Sequence, residues 1–307
     1  MVARGRSRAR AWGLGAVAVA ALAFLTGCSA DSIGEAFDGF GWPQQGITPQ
    51  ANQMYEMWIW SVVAALAVGF FVWGLIFWCI IAYRKRRGGP ELPTQTRFNL
   101  PIEVLYTVLP FLVIAVLFYY TAVIQTNVNK LSANPDVTVE VVAFKWNWQF
   151  NYKTGPDTRP GQQTIATTTG ASDYIPVLVV PTGKTIRIEE TSKDVIHSFW
   201  VPEMLFKRDV FPGNVRNVFQ VTIDQEGSYV GRCAELCGTY HSMMNFEVRA
   251  VSPEKYEQFL AAKKAGQTTP QALAAIGFTG PEMYATTTKP FDVKTDEQNV
   301  PANAGND

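Results

Sequence analysis

Histidine is scarce in this chain of 307 residues: there are two, His197 and His241. Cysteine is nearly as scarce, with four, and the formal net charge is zero. Without a basic surplus there is no electrostatic pull toward nucleic acid, so no nucleic-acid partner is expected. Charged residues make up 17% of the chain against 13% aromatic, a balance that suits a protein spending part of its length in lipid. Four cysteines do not make a disulfide framework. Cys28 closes an N-terminal apolar stretch, and Cys79 lies in a longer one, where a thiol packs as a small hydrophobe. That leaves Cys233 and Cys237, which on cysteine count alone can also be read as one exported disulfide.

The first ten residues carry four arginines, and an apolar run from Ala11 to Leu25 follows. A basic start, a short apolar centre and small residues at its end make a secretory signal over 1–27, because the run falls short of the roughly 20 residues a bilayer requires. Leu25-Thr26-Gly27-Cys28 resembles a bacterial lipobox, which implies cleavage before Cys28 and lipid on its sulfur. Residues 28–56 then form an extracytoplasmic segment.

No charge interrupts the apolar stretch from Met57 to Tyr83, which is long enough to span about 30 Å of hydrocarbon. A second span covers 102–124, with Pro110 inside it expected to kink the helix. The connection, 84–101, contains RKRR and Arg97, the positive bias of a cytoplasmic loop, so both ends of the hairpin face outside. Glu103 sits at the cytoplasmic end of the second span. Ionisable groups there serve proton or ion pathways, although an interfacial carboxylate reaching water reads equally well.

Beyond Asn127 the pattern changes to short runs of period-two alternation broken by Gly, Pro, Asn and Asp. VTVEVVAF, WNWQFNY, IPVLVV, TIRIEE, VRNVFQVTI, GSYVGR and NFEVRAV read as strands of an antiparallel sandwich or barrel outside the membrane. Residues 154–173, rich in Gly, Pro and Thr, read as a surface loop. Ser252 and Pro253 look like the N-cap and first position of a helix of about three turns. The polar tail to Asp307 shows no pattern.

The stretch CAELCGTYHSMM, 233–244, crowds two thiols, a carboxylate, an imidazole and two thioethers together. Zinc suits two Cys and two His but gives methionine no role. Thiolate with thioether favours copper, yet a mononuclear His-His-Cys-Met site uses a single cysteine. Two coppers sharing both sulfurs use every donor: Cys233 and Cys237 bridging, His197 and His241 one each, Met244 on one copper and the Glu235 carbonyl on the other. A site closed in this way passes electrons instead of binding substrate.

The run Cys233, Glu235, Cys237, Gly238, His241, Met244, with DVIHSFWVP around His197, resembles the dinuclear CuA site of cytochrome c oxidase subunit II. The resemblance extends from the first span to about Val251, and its order of two membrane helices, aromatic strand and copper domain is that family's order. It implies an all-β, cupredoxin-like Greek-key sandwich over 127–252 preceded by a two-helix transmembrane hairpin, with a C-terminal helix and tail over 253–307. The metal ligands it implies are His197, Cys233, Glu235, Cys237, His241 and Met244, with the Glu235 side chain also on a magnesium or manganese ion shared with subunit I. FKWNWQFNY matches the family's tryptophan-rich segment, so Trp146 is where the electron arrives; without the resemblance, its stripe with Trp148, Phe150 and Tyr152 reads as core packing. EVLYTVLP places Glu103 at the mouth of a proton-uptake channel.

The implied protein sits in the bacterial plasma membrane with its copper domain on the extracytoplasmic side. Its partners are oxidase subunit I, which carries heme and CuB, subunit III, membrane lipid, and cytochrome c or a cytochrome c domain of a neighbouring complex. Electrons pass to subunit I for reduction of oxygen coupled to proton translocation, and the chain alone has no oxidase activity. A quinol oxidase subunit lacks the ligands, and nitrous oxide reductase carries a large extra domain. A membrane-tethered copper chaperone or a structural zinc protein is the alternative from another class; a chaperone needs an exposed, labile site.

Overall fold

The computed structural model describes residues 46–279 apart from 87, 90, 93, 94, 155–162, 172 and 173. The expected signal, the lipobox with Cys28 and the end of the tail lie outside the described residues. Among the described residues, two helices are long and apolar enough to cross a membrane: α1, Pro49–Ala82, and α2, Leu100–Val128. Helix α1 begins eight residues before the apolar stretch expected from Met57, because Thr48 caps it by accepting from the Ala51 N–H at 3.0 Å and Pro49 occupies its first turn. Its 34 residues rise about 50 Å at ~1.5 Å each, more than the hydrocarbon thickness, so the polar first turns extend past the lipid.

Those turns are anchored to the outer domain. The Ile47 N–H donates to the Glu203 carbonyl at 3.1 Å, and the Asp224 N–H donates to the Ile47 carbonyl at 3.0 Å. Helix α2 likewise runs past 124 to Val128, and Asn127 Nδ2 donates to Gln53 Oε1 at 3.4 Å, joining the two helices above the apolar zone. Pro110 lies inside α2 as expected.

The outer domain is a sandwich of ten strands in two five-stranded sheets. The strands are β1 Val137–Phe144, β2 Asn147–Lys153, β3 Thr164–Thr169, β4 Val177–Pro181, β5 Thr185–Ser192, β6 His197–Val201, β7 Phe206–Val210, β8 Asn217–Thr222, β9 Gly227–Cys233 and β10 Asn245–Val251. One sheet has the order β3-β2-β1-β5-β8 and the other β4-β10-β9-β6-β7. This is the Greek-key sandwich behind a helical hairpin, with two corrections. The sheets are mixed, since β1 pairs with β5 and β4 with β10 in parallel. The segment expected as a surface loop contains β3, an edge strand on β2 built largely of threonine, whose β-branched side chains suit a pleated edge.

Alternation directs Val139, Val141 and Ala143 of β1 and Ile186 and Ile188 of β5 into the core. There Phe199 stacks on Phe246 with ring centroids 4.6 Å apart, and Trp148 meets Phe246 edge-on at 5.1 Å. Gly231 makes room for this cluster: a Cβ there would come within 2.0 Å of the Phe246 ring. Glu190 continues the inward row of Ile186 and Ile188, fully buried, with no hydrogen-bond partner for either carboxylate oxygen among the described residues. Burial pushes its carboxyl well above the ordinary 4.5, against the pull of Arg208.

After β10, helix α3, Pro253–Lys264, starts on the expected Ser252 cap and lays Tyr256 and Phe259 against Tyr152. A second helix, α4, Thr269–Ala275, follows with a capping box made by Thr268 and Gln271. It falls in the stretch where the sequence shows no pattern, and its Ala272 and Leu273 are buried against the domain.

Candidate metal centre

Two loops at one end of the sandwich meet to form the site. The first is the turn from β5 into β6. Ser192 Oγ accepts from the Asp194 N–H at 3.2 Å and donates to the Val195 carbonyl at 2.5 Å, a short side-chain-to-backbone turn. It presents His197, fully buried, as the first residue of β6. The second loop joins β9 to β10. Phe199 and Cys233 are register partners of β6 and β9, and the Ala234 N–H donates to the Ser198 carbonyl at 3.1 Å, which sets Cys233 beside His197.

Across the mouth of this second loop the Cys233 N–H donates to the Met244 carbonyl at 3.1 Å. Between them the chain turns at Gly238, with φ of 122°, and closes a 3₁₀ turn over His241–Met243. Gly238 is required for two reasons. Its φ is one that L side chains avoid, and a Cβ would lie 3.2 Å from the Trp146 indole.

The donor atoms converge. Cys233 Sγ lies 3.8 Å from His197 Nδ1, 3.9 Å from Cys237 Sγ and 3.3 Å from the Glu235 carbonyl. Cys237 Sγ lies 3.5 Å from His241 Nδ1 and 3.8 Å from Met244 Sδ. The thiols are free, and the ligand atoms of His197, Cys233 and Cys237 all lie within 4.8 Å of one another. Every donor expected from the sequence is therefore present, arranged about the sulfur pair with one imidazole on each side.

The chemistry of this set fits soft, electron-rich coordination: two thiols, two imidazoles, a thioether and a carbonyl. His197, Cys233, Cys237 and Met244 are buried, unlike the exposed donors of a metal carrier. Burial, with the adjacent Cys233 thiol second, pushes the Cys237 thiol up to about 12. Metal binding therefore has to displace its proton.

Asp194 orients the first imidazole. Its Oδ1 accepts from His197 Nε2 at 2.8 Å, which fixes the tautomer whose Nδ1 lone pair faces Cys233. Burial holds the His197 pKa below its usual value despite this hydrogen bond, which favours the uncharged ring a metal needs. Asp194 Oδ2 also accepts from the Lys145 N–H at 2.7 Å, joining the ligand turn to the turn before β2. Loss of such an orienting carboxylate costs about 10–100-fold in metal affinity. Asp194→Ala is expected to weaken copper binding by that factor in a competing-chelator titration, with Asp194→Asn, which keeps an acceptor, recovering part of it. Equal affinity in all three proteins contradicts the role.

Trp146 stands in that turn, half-buried, not in the inward stripe expected from alternation. Of the four, Trp148, Phe150 and Tyr152 are fully buried, and Trp146 packs against the margin of the core. The Trp146 Nε1–H donates to the Cys237 carbonyl at 3.2 Å, and Tyr240 meets the ring edge-on at 4.9 Å. Trp148 donates to the Met244 carbonyl at 3.3 Å, pinning the opposite end of the loop. Glu103 belongs to the other end of the molecule: it accepts from the Asn99 N–H at 2.8 Å at the start of α2. Asp194, Trp148 and Tyr240 were absent from the sequence-derived site. Asp194 stands three residues before His197, with nothing local to mark it.

A family model described as "Cytochrome C oxidase subunit II, periplasmic domain" matches residues 137–251. A probable cytochrome c oxidase subunit 2 of Nocardia farcinica is 46% identical over 322 residues, covering 87% of this chain and 84% of that protein. The cytochrome c oxidase subunit 2 of Mycobacterium tuberculosis strain H37Rv is 42% identical over 344 residues, covering 96% of this chain and 92% of that protein. Among solved structures, the periplasmic domain of subunit II of cytochrome oxidase of Bradyrhizobium japonicum is 28% identical, with a TM-score of 0.36, covering 45% of this chain and 98% of that one.

Proposed function

This chain belongs to the cytochrome c oxidase subunit II family, as the subunit through which electrons enter a heme–copper oxidase, and from that premise we propose that they arrive at Trp146 and pass to a copper pair held by Cys233 and Cys237. The observation that carries this reading is the convergence of two thiols, two imidazole Nδ1 atoms, a thioether and a carbonyl in one buried cluster. When bound, the copper pair supplies a one-electron couple whose charge is spread over both thiolates. His197, His241, the Met244 thioether and the Glu235 carbonyl would hold it together with the two thiolates.

The chain's own residues provide the route and the shielding. The hydrogen bond from Trp146 to the Cys237 carbonyl links the outer indole to a ligand residue without an intervening gap. Trp148, Phe199 and Phe246 pack behind the ligands, exclude water and keep the loop from rearranging as charge comes and goes.

The protein is membrane-anchored and assembles with other oxidase subunits. The α1–α2 hairpin docks on subunit I, with subunit III completing the assembly, in the bacterial plasma membrane, and Cys28 is lipidated. Glu103 stands at the mouth of a proton channel of subunit I, and the Glu235 carboxylate helps hold magnesium or manganese at that subunit's boundary. Alone, the chain has no oxidase activity.

Mixing the copper-loaded full-length chain anaerobically with reduced c-type cytochrome tests this division of labour. Each chain is expected to oxidise one cytochrome, and on admitting air to consume no oxygen above the blank. Sustained oxygen uptake, or no cytochrome oxidation at all, contradicts it.

A further inference from the structure

Trp146 stands in the turn between β1 and β2, outside the ladder that pairs them, and its indole rests on the ligand loop from β9 to β10. Three residues of that loop meet it. The Cys237 carbonyl accepts from Nε1 at 3.2 Å. Gly238 leaves the space the ring occupies, since a Cβ there would come 3.2 Å from Cζ2 and 3.3 Å from Nε1. Tyr240 stands edge-on to the indole, at 86° with ring centroids 4.9 Å apart.

The hydrogen bond and the ring contact restrain different motions. One hydrogen bond holds a half-buried indole weakly, because the N–H can turn to water at little net cost. It fixes a single atom, whereas an edge-on ring resists rotation of the indole plane about that atom. Tyr240 is itself well placed to do so. Its carbonyl accepts from the Met243 N–H at 3.0 Å, and the next residue's N–H, that of His241, donates to the Gly238 carbonyl at 3.1 Å. The turn that presents His241 and Met244 therefore also sets the Tyr240 backbone.

We propose that Tyr240 is a positioning residue for electron entry: its ring holds the Trp146 indole in the orientation in which Nε1–H meets the Cys237 carbonyl. The inference rests on electron arrival at Trp146. Transfer to the ligand residue is fast only while that contact is made, so its rate follows the population of the held orientation. Tyr240 acts through Trp146 and not through the metal, and the aromatic ring, not the hydroxyl, does the holding.

The test compares Tyr240→Leu and Tyr240→Phe with wild type. In the assembled oxidase at saturating reduced c-type cytochrome, Tyr240→Leu is expected to slow copper reduction about fivefold, ~1 kcal/mol of barrier, with the copper spectrum unchanged. Tyr240→Phe is expected to restore the rate. In the reduced, copper-loaded full-length chain with isotope-labelled tryptophan, nuclear magnetic resonance is expected to show faster exchange of the Trp146 indole proton in Tyr240→Leu and not in Tyr240→Phe. Added to Trp146→Leu, Tyr240→Leu is expected to cause no further slowing, since both act on one contact. A wild-type rate or unchanged indole exchange in Tyr240→Leu, Tyr240→Phe as slow as Tyr240→Leu, or a further fivefold loss on top of Trp146→Leu overturns the proposal and leaves electron arrival at Trp146 standing. A wild-type rate in Trp146→Leu alone overturns both.

Discussion

Cys237→Ser is expected to strip the chain of its metal centre and to lower cytochrome oxidation by the assembled oxidase at least about a thousandfold, since loss of even an outer partner costs ~10–100-fold. Cys237 shares with Cys233 the largest number of contacts in the cluster. Its sulfur lies 3.9 Å from Cys233 Sγ, 3.5 Å from His241 Nδ1 and 3.8 Å from Met244 Sδ, and its carbonyl receives the Trp146 indole. A hydroxyl is a hard, weakly acidic donor that cannot replace a bridging thiolate. The fold should survive, because the residue's backbone contacts are unchanged and serine is the smaller side chain. Copper analysis and circular dichroism of the purified variant separate the two effects. Bound copper at the wild-type ratio contradicts the bridging role.

Trp146→Leu is expected to leave copper content and its spectrum unchanged while slowing reduction of the centre by cytochrome about a hundredfold, equal to ~2.7 kcal/mol of barrier. The substitution removes the indole that reaches the Cys237 carbonyl and meets Tyr240, but touches no ligand side chain. Trp146→Phe keeps a ring without the N–H donor and should fall between the two. Stopped-flow reduction at saturating cytochrome distinguishes a slower transfer from weaker docking. A wild-type rate in Trp146→Leu places the point of arrival elsewhere.

The metal site was legible in the sequence because its donors are rare in this chain and crowded together. Two histidines and two cysteines left over from other roles had few partners besides each other, and the methionine disfavoured zinc. Proximity of His197 to the loop at 233–244 was a different matter: it depends on the pairing of β6 with β9, a long-range register that no local pattern encodes. The spans were equally plain from the absence of charge, but their outer ends were not, because Thr48 and Pro49 start α1 in a polar stretch.

Strands β6 and β7 escaped alternation for physical reasons. His197-Ser198 opens β6 with two buried polar residues, and β7 is a charged edge strand, Phe-Lys-Arg-Asp-Val. The parallel pairings were hidden as well, since they join strands far apart in the chain. Asp194 was overlooked because a surface-like carboxylate is unremarkable until its partner is known to be a buried imidazole.

Metal content and electron paramagnetic resonance of the purified full-length chain after loading with copper test the dinuclear centre most directly. Two copper ions per chain sharing a single unpaired electron are expected from one sulfur pair flanked by two imidazoles. One zinc per chain, or copper showing the spectrum of an isolated mononuclear ion, contradicts it.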